Sequence, residues 1–278
     1  MYDTVKTIYA SNAEQLRDNH LPYRPLEFGT LNEKWGLYTD VATPEYAYPV
    51  ISYIAAGRGG FRAIADTNGR LKTDVASHEP TDAALFEHIP FIARPINDDL
   101  TAVEREGYAG RVLVNTGGVE QFLYYLKRVA VTPSTPAIDI QTIVDDVPVV
   151  TPYQPTPGQL DPSIRALSNV ELNVVSGSHI SVQTPGVIPF NSVDVTEMVA
   201  ACIALFGDAS YANLSEVGMV SAIPTQVNST LGGINITYTE AILAQIDLHI
   251  PTSVLLPIAS SSGFDIEYST GTVTPYTP

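Results

Sequence analysis

The chain has 278 residues, 45% of them apolar and only 16% charged, enough apolar material for one large or two ordinary domains. Its formal net charge is −16, and the charge is unevenly spread. Residues 1–131 hold 13 of the 14 Lys and Arg against 17 acids, whereas residues 166–278 hold 9 acids and no Lys or Arg. A chain with this balance and no basic stripe cannot neutralise phosphates, which excludes nucleic acid and an anionic membrane surface as partners.

The one cysteine, Cys202, rules out an intrachain disulfide and lies in an apolar run as a small buried hydrophobe. No stretch approaches the roughly 18 apolar residues that cross a bilayer. Residues 1–20 are charged throughout and have no apolar signal-peptide core, so synthesis in a cytoplasm is expected. The Asn-x-Ser/Thr triplets at Asn213, Asn228 and Asn235 are read as chance matches.

In chain order, residues 1–131 read as a β-rich docking domain with short helices. Tyr46 to Ala55 is a strand, ended by the turn Gly57, Arg58, Gly59 and Gly60. Thr81 to His88 is expected as a short helix behind Pro80, Phe91 to Ile96 as a strand, and Thr101 to Glu106 as a second short helix. Arg111 to Val114 and Val119 to Val131 are expected to pair across Asn115 to Gly118. Residues 132–165 hold seven prolines and read as an extended linker or arm, whose apolar run Ile138 to Val150 is suited to adding a strand to a neighbour's edge.

Residues 166–278 read as a small α+β domain. Helical spacing predicts a helix capped by Ser192 and stopped by Gly207, a shorter one over Leu214 to Ile223, and a third from Thr239 to Ile250. Ser253 to Ala259 and Phe264 to Tyr268 read as strands. The fold class expected is therefore α+β: a β-rich N-terminal domain, a Pro-rich linker and an α+β C-terminal domain.

No residues are assigned catalytic, cofactor-binding or metal-binding roles. His20, His78, His88, His179 and His249 have no zinc spacing and read as surface or hydrogen-bonded. The glycine-rich turn at 57–60 matches neither phosphate-loop pattern, and Arg58 and Arg62 are expected to meet carboxylates. The pairs Asp98 with Asp99 and Asp145 with Asp146 read as capping or solvated acids. Tyrosines 38, 46, 48, 53, 124 and 125 read mainly as core.

Four phrases, YPVISYIAAGRGG at 48–60, LFEHIPFIARPINDDLTAVEREGYAGRVLV at 85–114, NLSEVGMVSAI at 213–223 and YTEAILAQIDLHIPTSV at 238–254, resemble a family of virion structural proteins of contractile-tailed bacteriophages. The resemblance implies a tail component, above all of the baseplate, with a neck or head-tail connector subunit, or a host-receptor or carbohydrate-binding module, as alternatives. It implies partners among other virion structural proteins, several copies in a symmetric assembly in the host cytoplasm, and neither enzymatic activity nor a cofactor.

Overall fold

The computed structural model describes residues 4–42, 44–65, 68, 70–129, 136–144, 147–160, 179–231 and 234–275. Among them the elements run β1 (Val5–Lys6), α1 (Ile8–Asp18), α2 (Leu31–Trp35), β2 (Val50–Gly57), β3 (Phe61–Ala65), β4 (Leu71–Val75), β5 (His88–Ile89), β6 (Ile92–Pro95) and α3 (Ala102–Arg105). They continue with β7 (Tyr108–Thr116), β8 (Val119–Arg128), β9 (Ala137–Val144), β10 (Val147–Pro152), β11 (His179–Phe190), α4 (Ser192–Phe206), β12 (Asn213–Leu231), β13 (Ile234–Pro257) and β14 (Phe264–Pro275). The expected α+β class is thus corrected: the fold is β-rich, built on an eight-stranded and a four-stranded antiparallel sheet, with β3 and β4 as a separate hairpin.

Two expected helices are strands. Leu214 to Ile223 lies in β12, where apolar and polar residues alike are buried on both faces, so no alternation marks it. Thr239 to Ile250 lies in β13. There one extra residue falls between the partners of Ser221 and Ile223, and another between those of Met219 and Val220. These two bulges turn a period of two into a spacing that imitates a helix. Thr81 to His88 is irregular and ends in β5. The helix expected from Ser192 is present as α4, capped one residue earlier by Asn191 in a capping box with Asp194, and closed by Gly207 at φ 83°.

The chain folds into two compact units, one of Met1–Val131 with Phe190–Phe264, the other of Thr132–Pro189 with Asp265–Pro278. These boundaries cross those drawn from composition. In the first unit the strand order is β1-β13-β12-β2-β8-β6, with β5 also on β2 and β7 also on β8. Tyr53, Ala55, Ala109, Leu126, Val220, Ala222 and Ile246 from five strands form the main core with Leu31 of α2. Trp35 of α2 stacks on Tyr125, with ring centres 5.2 Å apart.

Each bulge leaves buried backbone groups that a side chain from elsewhere must satisfy. At the first, where Leu243 adopts φ 51°, the amide of Asn32 donates to the Ala241 carbonyl at 3.0 Å and accepts from the Ala244 N–H at 2.7 Å. At the second, Thr7, the cap of α1, donates its N–H to the Asp247 carbonyl and its hydroxyl to the Ile246 carbonyl. The Asp247 carboxylate accepts from Ser221 and Gln245.

In the second unit the order is β10-β9-β11-β14. The stretch read as a linker therefore contains the β9–β10 hairpin. Tyr153 N–H bonds the Ile138 carbonyl, and the register places Val147, Val149 and Thr151 in the same phase. Pro148, Val150 and Pro152 then face away from β9, and two of these three outward positions have no N–H. The prolines blunt this edge, so the strand addition expected of the run Ile138 to Val150 is opposed by its own sequence.

Two outcomes test the bulge plugs. Asn32→Ala strands a buried carbonyl and a buried N–H, and is expected to cost about 2–4 kcal/mol in urea denaturation. Burial raises the Asp247 carboxyl to about 6. Its folded form therefore holds a proton that the unfolded chain releases near pH 4, and the stability this contributes is lost as pH rises through about 6. Asp247→Asn is expected to stabilise the protein at pH 8 by about 2 kcal/mol, with the gain vanishing toward pH 4 in parallel denaturation curves.

Candidate functional site

A group of ionisable side chains gathers where β2 ends and β12 begins. β2 runs into the turn Gly57 to Gly60, which lies against β12 so closely that a Cβ on Gly60 would stand 2.5 Å from the Ser215 carbonyl oxygen. Glycine is required by this approach. Glu216, 1% exposed, points back under the turn. Its Oε1 accepts from the N–H groups of Gly59 at 2.9 Å and Glu87 at 3.2 Å. Its Oε2 accepts from the Phe86 N–H at 3.2 Å and faces His78 Nε2 at 2.7 Å. The Gly60 N–H is taken by the Ser215 hydroxyl at 2.8 Å.

The turn thus does cradle an anion with backbone N–H groups, and that anion is the protein's own carboxylate. The N–H groups of Gly59 and Gly60 are thereby occupied from within the protein, in line with a turn that matches neither phosphate-loop pattern.

His78 links this carboxylate to a second one. Its Nδ1 lies 2.9 Å from Asp82 Oδ2, which also accepts the Glu79 N–H. Both ring nitrogens face carboxylate oxygens. The ring is held between Phe86 and His249, at centre distances of 3.9 and 3.8 Å. His249 donates from Nε2 to the Asp82 carbonyl. Burial, together with the neighbouring His78, lowers its pKa to about 4 and keeps it neutral. Burial likewise lowers His88 to about 3, and its Nε2 accepts the Leu85 N–H. His78, His88 and His249, expected at the surface or hydrogen-bonded, are buried and hydrogen-bonded, and His78 and His249 are stacked. His20 is exposed.

At the edge of this cluster Arg58 pairs with Glu87 at 2.7 Å and lies over the rings of Phe206 and Tyr211. The carboxylate expected for Arg58 is thus Glu87, while the side chain of Arg62 lies outside the described residues.

A second node surrounds Asp99, expected as a cap. Its side chain is fully buried, bonds Arg105, and accepts from Arg111 at 2.9 Å, the Tyr124 hydroxyl at 2.7 Å and the Leu100 N–H. Burial alone would raise its pKa. The tyrosine hydroxyl and the two guanidiniums outweigh that and hold it below the ordinary carboxylate range. Arg105 also lies over Tyr238, whose hydroxyl meets that of Tyr38 at 2.7 Å. Glu240 accepts the Gly110 N–H and joins β13 to β7, and burial raises its pKa. Asp98 is exposed, and Asp145 and Asp146 lie outside the described residues.

Glu216, His78 and Asp99 are buried, whereas Asp82 and Glu87 at the rim of the first node are partly exposed. Burial raises the Cys202 thiol to about 12, which removes the thiolate a nucleophile needs. No set of three His, Cys, Asp or Glu among the described residues is placed to hold a metal. A cleft of 210 Å³ lined by Phe28, Thr30, Glu33, Lys34, Ala83 and Ala84 is smaller than the roughly 300 Å³ of an ordinary ligand site. No helix among the described residues is long and apolar enough to cross a membrane.

The sequence hides the first node because its members lie at positions 78, 82, 216 and 249, and only His78 and Asp82 are near in sequence. A glutamate inside the apolar run NLSEVGMVSAI is the one local signal.

Fold and site together define a β-rich protein whose buried ionisable groups tie loops to a sheet. A family of unknown function (DUF7208) matches residues 2–278, and the chain belongs to it. No curated protein and no solved structure matches the chain.

Glu216→Gln replaces one acceptor oxygen by an NH₂ that must face a donor. The expected loss is about 2–4 kcal/mol in chemical denaturation, with early loss of amide-exchange protection at Gly59, Phe86 and Glu87.

Proposed function

We propose that the chain is a non-enzymatic structural subunit that acts through protein–protein contacts in a larger assembly. The observation that carries this reading is the β12–β13 ribbon. The two strands are 19 and 24 residues long, yet β2 pairs with β12 only from Glu216 to Ala222. Val227 to Leu231 and Ile234 to Tyr238 continue as a paired ribbon with no third strand among the described residues. Gln226 with Thr239, and Asn228 with Thr237, bridge it by side-chain hydrogen bonds. A lone two-stranded ribbon is marginal in water and gains stability against a partner surface.

The nodes around Glu216 and Asp99 support the same reading, because their charged groups are committed to backbone and to each other. The sequence resemblance to contractile-phage tail proteins gives the assembly its most specific form, a baseplate component working beside other virion structural proteins.

Light scattering of the purified chain up to about 200 µM is expected to show oligomers. Replacing residues 228–237 by an Asn-Gly turn should leave the melting temperature near that of the full chain and reduce the oligomer mass. A monomer throughout, with the shortened variant indistinguishable, would overturn the reading.

A further inference from the structure

In the first unit, residues 78–88 are fastened to the sheet by histidines whose hydrogens are fixed by backbone groups. The Leu85 N–H donates to His88 Nε2 at 3.2 Å. A backbone N–H can only donate, so Nε2 carries the lone pair and Nδ1 the hydrogen. His249 Nε2 lies 3.0 Å from the Asp82 carbonyl oxygen. A carbonyl can only accept, so here Nε2 carries the hydrogen and Nδ1 the lone pair. Both rings are therefore neutral, and both are buried. A second proton on His88 goes to Nε2 and sets one N–H against another. A second proton on His249 goes to Nδ1, which is buried with no acceptor among the described residues. Either event leaves a buried charge with an unpaired donor, and separating the stretch from the sheet relieves both.

We propose that residues 78–88 form an acid-released latch: protonation of His88 and His249 detaches the stretch from the sheet and uncovers the Glu216 end of β12, while the rest of the first unit stays folded. The surrounding charges agree with this direction. Around His249 stand His78 and Asp82 of the same stretch and Glu216 of β12. Burial, aided by His78, outweighs the two carboxylates and holds the pKa at about 4. Lys6 of β1, which pairs with β13 at this point, is bound to Glu14. Around His88, burial, Lys34 of α2 and the other two histidines all oppose a charge, and the pKa is about 3. Glu87, next in sequence, pairs with Arg58. The helix α4 also packs on β5, with its Asp194 paired to Lys127 and its Glu197 to Arg94. Both folded pKa values lie below the ordinary value near 6.5, so the latch is at full strength above about pH 6.5 and weakens as pH falls below it. At pH 5 a released histidine is protonated about thirty to one, so each contributes roughly a thirty-fold shift toward release. Asp247 on β13 acts in the opposite sense, because its raised pKa strengthens the folded sheet as pH falls.

The test is hydrogen exchange of the full chain at about pH 7.5 and about pH 5, expressed as protection relative to the intrinsic rate at each pH. Protection at Leu85, Phe86 and Glu87 is expected to fall at least about thirty-fold at the lower pH, with the β7–β8 hairpin unchanged. His88→Gln keeps an amide oxygen for the Leu85 N–H, and His249→Gln keeps an NH₂ for the Asp82 carbonyl, both without a titrating ring. The double variant should show no fall, and each single variant should remove about thirty-fold of it. Wild-type protection that is unchanged at the lower pH overturns the latch. So does an equal fall in the double variant, or loss of β7–β8 protection in step with the stretch. Should the double variant lose its folded circular dichroism signal, Trp35 decides. It is the chain's single tryptophan and lies edge-on to His88, with ring centres 5.4 Å apart. Its emission in the wild type should change between about pH 6.5 and about pH 4.5 at constant far-ultraviolet circular dichroism, and emission that stays flat over this range overturns the latch.

Discussion

A strand buried on both faces and interrupted by bulges cannot satisfy its own backbone, and this constraint organises the first unit. Residues 214–223 of β12 are buried on both faces, and β13 breaks register with β12 in three places. At two of these breaks a polar side chain stands in the gap, Asn32 at Ala241–Ala244 and Thr7 at Ile246–Asp247, while Glu216, beside the third, binds the N–H groups of Gly59, Phe86 and Glu87 instead. An unpaired buried backbone group costs about as much as a lost hydrogen bond. The plugs are therefore stability determinants of the same rank as the aliphatic core. They also fix topology, because each comes from a different segment and can fit only at its own break.

The same constraint explains the charge distribution. Residues 166–278 hold nine acids and no Lys or Arg. The structure places most of them inside the first unit. Asp194 meets Lys127 at 2.6 Å, and Glu197 makes a two-pronged contact with Arg94 at 2.7 and 2.8 Å. Glu216 takes backbone donors, and Glu240 takes the Gly110 N–H. Two of these acids thus pair with bases of the first half, and two more are held by backbone N–H groups of segments distant in sequence. Asp208, Asp265 and Glu267 remain exposed, so acidic surface is left in this half beside the buried carboxylates.

What could be read from residue order was whatever is local. The turn Asn115 to Gly118 and its hairpin, the capping box at Thr101, and the helix ended by Gly207 each carry their signal within a few residues. What could not be read depends on contacts across the chain. The bulges at Leu243 and Asp247 shift the buried positions of β13 into a helical rhythm. The prolines of residues 132–162 suggest an unpaired arm, whereas Pro148 and Pro152 sit where a strand edge needs no donor. His78, Glu216 and His249 converge only once β12 and β13 are laid beside the loop of residues 76–88.

The sequence protects the β10 edge of the second unit's sheet and singles out neither of its faces. Prolines at the outward positions of β10 remove donors that would recruit another strand, a feature expected where uncontrolled edge pairing would be harmful. The register sets Val147, Val149 and Ile138 on one face and Val150, as exposed as Val147, on the other, so exposure by itself favours neither face as a contact surface. Strand addition is open-ended and leads to fibres, and that is the mode of self-contact that Pro148 and Pro152 oppose.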